Sequence, residues 1–177
     1  MMKRFLGSAL AVLATGSLVL AQAPPAPKPG PEHKPLGYFV GKWKTDAEIK
    51  PGMMGPGGKM TSTDTCEWFT GGFHLVCRSE GSGAMGKLTS MGILGWSDVH
   101  KAYTYFGADS MGTNEYAQGQ KKGNTWTFTT TSSMAGKSFQ SRYTIVETSP
   151  TVQTIKWEAS EDKKTWNVVM EGKSTKM

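Results

Sequence analysis

Cys66-Glu67-Trp68-Phe69-Thr70-Gly71-Gly72-Phe73-His74-Leu75-Val76-Cys77 reads as two strands folded back on each other about a Gly-Gly turn. A tight hairpin turn demands positive φ angles, which glycine adopts without steric cost. With the turn at Gly71-Gly72, Thr70 faces Phe73, Trp68 faces Leu75, and Cys66 faces Cys77. Side chains alternate across a strand. Trp68, Leu75 and both cysteines therefore share one face, and Glu67, His74, Val76 and Arg78 the other. Turn chemistry, alternation and cysteine spacing agree on one register. Directly opposed residues lie at a Cα separation that a disulfide can span, so a Cys66–Cys77 disulfide is expected. The C-x-x-C spacing of a redox-active pair is absent.

The same alternation continues along the chain. Thr125–Thr130 places Trp126 and Phe128 on one face, and Lys137–Val146 places Phe139, Tyr143 and Ile145 together. Gln153, Ile155 and Trp157 alternate with polar residues, and Trp166, Val168 and Met170 recur at period two. Period two with β-branched and aromatic residues marks half-buried strands. Turn clusters at Gly81-Ser82-Gly83, Lys121–Asn124, Ala135-Gly136, Ser149-Pro150 and Glu161–Lys164 separate the runs. The pattern predicts ten strands, near 43–49, 60–70, 73–80, 87–96, 101–108, 113–119, 125–131, 137–147, 151–159 and 165–174. An all-β antiparallel meander of about ten strands, closed as a barrel so that no edge strand is left bare, follows. A short helical turn is expected at Leu36-x-x-Phe39-Val40.

Outside this body the chain changes character. Lys3 and Arg4 precede an uncharged apolar run, Phe5–Leu20, and then Ala21-Gln22-Ala23. That order is the pattern of a secretory signal peptide, residues 1–23. The run of about 16 residues falls short of the about 20 that a membrane helix needs, so no membrane attachment is expected after cleavage. Residues 24–35 hold six of the nine prolines and read as an extended tether, which leaves 36–177 as a single barrel domain. The 177-residue chain carries a net charge of +6, part of it in Lys3 and Arg4, and its lysines are scattered. Nucleic-acid binders concentrate basic charge on one face, so no nucleic-acid partner is expected. The protein is expected to be exported, periplasmic or secreted.

Several motifs together resemble one family. Gly41-Lys42-Trp43 after a helical turn resembles the G-x-W that opens the first strand of lipocalins and other calycins. Met91–Tyr103, with Gly95-Trp96-Ser97-Asp98 and Lys101-Ala102-Tyr103, is similar to a "G-x-L-G-Y-D-x-x-x-K-x-Y" hairpin. Ser160–Trp166 resembles a closing "S-x-D-G-K-x-W" hairpin. On these residues the chain, over about 36–175, resembles DUF1579, a family of uncharacterised bacterial proteins related to calycins. The resemblance implies a calycin-like barrel whose G-x-W tryptophan, Trp43, plugs the closed end. Lipocalins cover that tryptophan with an Arg from the last strand. Here the last strand ends Glu171-Gly172-Lys173-Ser174-Thr175-Lys176, so a Lys would have to take its place. The lipocalin T-D-Y motif is absent, and Trp96 and Lys164 stand where the family pattern has Tyr and Gly.

Candidate chemistry is sparse. His33, His74 and His100 lie far apart in sequence, without the close pairs of a zinc site. His74 or His100 would be the side chain to hold haem, as single histidines do in the related nitrobindins. Met53, Met54 and Met60 offer soft thioethers suited to Cu(I), but in no regular array. Gly55–Lys59 lacks the P-loop spacing, and Gly-x-Ser-x-Gly is absent. No catalytic residue, metal site or cofactor is therefore assigned. The aromatic side chains are the feature that could bear function: Trp43, Trp68, Tyr103, Tyr105, Trp126, Phe128, Tyr143 and Trp157. Aromatic walls with few polar groups suit a small apolar ligand, so a non-catalytic binding barrel is expected. Two alternatives make their own demands. A barrel enzyme would bring Asp109, Glu115 or His100 together at a cavity mouth. An interaction module would show a filled core and an exposed apolar patch.

Overall fold

The computed structural model describes residues 26–177 apart from Met54, Ala84, Met85 and Ala135. The proposed signal peptide and the first residues of the tether lie outside the described residues. A 3₁₀ helix, Pro31–Phe39, precedes ten strands. These are β1 (Gly41–Ile49), β2 (Gly58–Trp68), β3 (His74–Gly83), β4 (Gly86–Ser97), β5 (Ala102–Asp109), β6 (Asn114–Lys122), β7 (Thr125–Met134), β8 (Lys137–Ser149), β9 (Val152–Ser160) and β10 (Asn167–Lys176). Each pairs antiparallel with the next, and β1 pairs with β10 to close the barrel. Every expected strand is present.

The β2–β3 register follows the opening hairpin: Cys66 faces Cys77, Trp68 faces Leu75, and the disulfide joins Cα atoms 4.0 Å apart. The turn is wider than expected. The ladder ends where the Phe69 N–H donates to the His74 carbonyl, so Thr70 and Phe73 belong to the loop. Gly71 and Gly72 keep their positive φ, 97° and 75°. Because the loop grew by one residue on each side, the register did not slip.

Inward positions are those of Leu75, Leu94, Tyr103, Trp126, Phe128, Phe139 and Ala159, all buried. Arg142 has the opposite parity and lies outside, 2.9 Å from Glu158 and 4.1 Å over the Trp166 ring. Trp166, Val168 and Met170 do not share a face. A bulge between Val168 and Met170 resets the alternation. Val169 turns inward and is buried, and Val168 faces solvent. The extra residue that a bulge inserts reverses parity in this way.

One end of the barrel is plugged. The helix begins at Pro31, earlier than the expected turn, so the later part of the expected tether is helical and His33 is buried. Pro31 suits a first helical turn, where its missing N–H costs nothing. Leu36 and Phe39 reach down into the barrel core. Tyr38 Oη donates to the carbonyls of Ser149 and Val152, and Tyr103 Oη donates to that of Glu32. Trp43 is buried and donates through Nε1 to the Phe39 carbonyl at 2.9 Å. Lys176 Nζ lies 5.1 Å from the Trp43 ring centroid, the cation position that an Arg occupies in lipocalins. In the closing hairpin the left-handed residue is Lys163, φ 63°, not Lys164. The family's Gly therefore corresponds to Lys163, beside an Asp162 carboxylate that accepts the Lys164 and Thr165 N–H groups.

Candidate functional site

Beyond the plug the barrel is hollow. A cavity of about 310 Å³ lies mid-barrel, with Phe39 as its floor and Tyr105, Phe128, Tyr143, Trp157 and Glu115 among its walls. Small residues open the space. Gly92 and Gly107 occupy inward positions of β4 and β5, and Ala117 that of β6. A Cβ built on Gly92 or Gly107 would stand 2.5 or 2.6 Å from the Tyr105 side chain, so the ring lies flat over bare backbone. On the opposite wall Tyr143 and Trp157 stack, centroids 5.8 Å apart. Trp157 Nε1 donates to Ser141 Oγ at 3.1 Å, which holds the indole in place. Two larger hollows lie elsewhere. One of about 610 Å³ opens among the turns of the unplugged rim and reaches the inward Phe139, Ala159 and Val169, and one of about 860 Å³ runs from the outward charges Asp46, Glu48, Lys59 and Lys173 to Ala47, Met60 and Ile155.

Glu115 is the carboxylate of the cavity wall. Tyr143 Oη donates to Glu115 Oε2 at 3.3 Å. Glu115 Oε1 is buried and has no hydrogen-bond partner among the described residues. Burial pushes the Glu115 carboxyl above the usual carboxylate range, against the smaller opposing effect of the Tyr143 hydrogen bond. Burial also pushes the Tyr105 hydroxyl up to about 12 and raises that of Tyr143, with Glu115 adding to both. Both phenols therefore stay protonated near neutrality, and that of Tyr143 donates to Glu115.

Glu115 stands beside a seam. The β6–β7 ladder runs from Lys122/Thr125 only to Gln118/Thr129. Past that point Thr130 Oγ1 donates to the Tyr116 carbonyl at 2.7 Å, a side-chain bond where the ladder has lapsed.

Of the eight aromatics singled out from the sequence, Tyr105, Phe128, Tyr143 and Trp157 line this cavity. Trp126 and Tyr103 are packed in the core below it. Trp43 belongs to the plug. Trp68 has inward parity but lies past the rim of the closed end, 39% exposed beside Gly37 of the helix. Glu115 was noted in the sequence only as a candidate acid, and Gly92, Gly107 and Ala117 were not singled out. Their signal was available, since glycine inside a strand marks a place where something approaches the backbone closely.

Of the residues proposed for the enzyme alternative, Glu115 lines the cavity and Asp109 and His100 do not. Asp109 sits at the β5–β6 tip, where its carboxylate accepts the N–H groups of Met111 and Thr113. His100 lies in the β4–β5 turn at the opposite, plugged end. His74 is exposed at the start of β3, and neither histidine lines the cavity. Met54 lies outside the described residues, and Met53 is exposed in the rim loop. The outer wall carries an apolar row, in which Ile93, Phe106 and Tyr116 face one another across β4, β5 and β6. Phe106 is 49% and Tyr116 50% exposed.

The family model DUF1579, described as a protein of unknown function, matches residues 28–176. The chain belongs to the DUF1579 family. Among solved structures, this DUF1579 protein is similar to the S-type phycobiliprotein lyase CPES from Guillardia theta. The likeness has a TM-score of 0.52 and 10% identity, and covers 82% of this chain and 91% of that one. At that identity it concerns the fold, a barrel of the same architecture. No curated protein matches the sequence. The match of the family model begins at residue 28, ahead of the helix at Pro31, in keeping with the plug being part of the DUF1579 barrel.

Proposed function

We propose that this DUF1579 protein is an exported barrel that binds a small apolar or amphipathic molecule in its interior and performs no covalent chemistry on it. The observation that carries this reading is the cavity of about 310 Å³, walled by Tyr105, Phe128, Tyr143 and Trp157. Apolar concave sites with a few placed polar groups are the usual form of small-molecule sites, and this volume lies at the small end of their range. The ligand would hold about ten water-sized heavy atoms. The Cys66–Cys77 disulfide and the signal-like segment 1–23 support export, because disulfides persist in oxidising compartments.

Native mass spectrometry of the protein purified from its own cell envelope tests this reading. One released small molecule per chain is expected on denaturation. Bare protein, together with intrinsic tryptophan fluorescence unmoved by a panel of small amphiphiles, would overturn it. A second reading, an interaction module, is favoured by the exposed row Ile93–Phe106–Tyr116. It would be preferred if the cavity proved empty and Phe106→Ser abolished capture of a protein partner.

A further inference from the structure

The cavity is selective in charge as well as in shape. Around the barrel, inward-facing strand positions carry the acids Asp64, Asp109, Glu115 and Glu147 and the bases Lys121, Lys137 and Lys176. Lys121 and Lys176 belong to the plugged end. Lys121 Nζ lies 3.0 Å from Glu147, and Lys176 Nζ covers Trp43 and donates to the Tyr38 carbonyl. Lys137 is exposed on the far rim. Asp109 is occupied with its own turn. Mid-barrel this leaves Asp64, which accepts from Thr45 Oγ1 and Ser62 Oγ at 3.3 Å each, and Glu115. Lys156 also borders the cavity, but it has outward parity and its Nζ is held 3.1 Å from Glu158.

Glu115 is the member with unused capacity. Oε2 is held by Tyr143, and Oε1 is buried without a donor. A buried carboxylate lacking a partner is costly, and a charge-assisted donor is the strongest remedy. Aromatic rings line the cavity around it, and the faces of such rings attract cations and not anions. Resting on the cavity-binding reading above, we propose that the ligand is a small apolar molecule bearing one protonated amine, whose N–H meets Glu115 Oε1 while its apolar body lies among Tyr105, Phe128 and Trp157. Fatty acids and other anionic amphiphiles would be turned away by the same groups.

The groups facing Glu115 are Tyr143 of β8 and Tyr105 of β5, with Asp64 of β2 and Asp109 of β5 also close enough to act on Tyr105. Among these, Glu115 is the group whose protonation removes the amine's partner. Burial raises its carboxyl in the empty barrel, and a bound cation would lower it again. Amine binding should therefore release protons and weaken on acidification through the raised Glu115 value.

The test uses three probes of one length, n-octylamine, n-octanol and octanoate, titrated into the wild-type protein and Glu115→Gln by calorimetry. Octylamine is expected to bind at least about tenfold more tightly than octanoate. Glu115→Gln should bring octylamine to within a few-fold of octanol. If Glu115→Gln does not fold, the acid weakening of octylamine binding to wild type, set against pH-independent octanol binding, decides the same point. Octanoate binding as tightly as octylamine, or an amine preference that survives in Glu115→Gln, overturns the amine assignment and leaves the cavity reading standing. Failure of all three probes to bind overturns both.

Discussion

At the plugged end Trp126 meets Tyr103, Phe39 and Phe128 at ring-centroid distances of 4.7, 5.0 and 6.4 Å. Further along the same strands, Tyr105 lies over bare glycine backbone and Glu115 keeps an oxygen without a donor. Both regions obey one inward alternation and both are rich in aromatics. What separates them is the residue opposite each ring. The plug adds Leu36, Phe39 and Trp43 to an already aromatic end, so the rings fill it. Mid-barrel, β4, β5 and β6 contribute Gly92, Gly107 and Ala117, the Tyr105 ring lies back over the two glycines, and a cavity of about 310 Å³ remains. Hollowness here is set by the small residues, and the aromatics only line what those residues leave.

The comparison breaks most visibly in stability. Trp126→Ala removes a side chain with no exposed surface, and is expected to cost about 3–5 kcal/mol in urea unfolding. Trp157→Ala, on the cavity wall, should cost markedly less. Equal losses would mean that the mid-barrel is packed as tightly as the plug.

Replacing both Cys66 and Cys77 by Ser frees a loop with a sequence separation of 11, and should cost about 3 kcal/mol by loop-closure entropy. Cys77 lines the cavity and Cys66 does not. Ligand affinity should therefore respond to Cys77→Ser within the double mutant more than to the loss of stability, as read by titration under strongly folding conditions.

Lys163→Gly relieves a left-handed residue at the β9–β10 tip, far from either region, and is expected to stabilise by about 0.5–1 kcal/mol. No change in ligand binding should accompany it.

The smallest effects are in pH dependence, and the mid-barrel differs from the rim in sign. The Asp162 carboxyl is lowered from 3.8 to about 2 by the Thr165 and Lys164 N–H groups. Its contribution is present above 3.8 and is lost as pH falls towards 2. Glu115 is raised, so its contribution is present in acid and is lost as pH rises through its folded value. Glu115→Gln should therefore be slightly more stable than wild type at neutral pH and equal to it in acid, as followed by thermal melts across pH. A mutant less stable at neutral pH would mean that Glu115 is paired in the free protein.

Much of the barrel was legible in the residues, because alternation and turn chemistry act locally. Cys66 opposite Cys77 survived a loop one residue longer on each side than expected, since symmetric growth preserves register. The bulge at Val168–Met170 was not legible: nothing in Trp166–Met170 marks the inserted residue, and it moved Trp166 outside. The site was half legible. Tyr105, Phe128, Tyr143 and Trp157 were named from their strands, but alternation gives a face and no depth, so Trp126, Tyr103 and Trp68 could not be told from them. The role of Glu115 depends on Tyr143, which comes to it from a strand that does not pair with its own.

Two indole resonances test the central claim most directly. Trp157 Nε1–H, bonded to Ser141, belongs to the cavity wall, and Trp126 Nε1–H, bonded to Glu147 at 2.6 Å, belongs to the filled end. Titrating n-octylamine while recording ¹⁵N–¹H spectra should move the Trp157 indole signal and the Ala117 amide, and leave the Trp126 indole signal in place. Shifts confined to the outer row of Ile93, Phe106 and Tyr116, with Trp157 unmoved, would contradict a ligand inside the barrel.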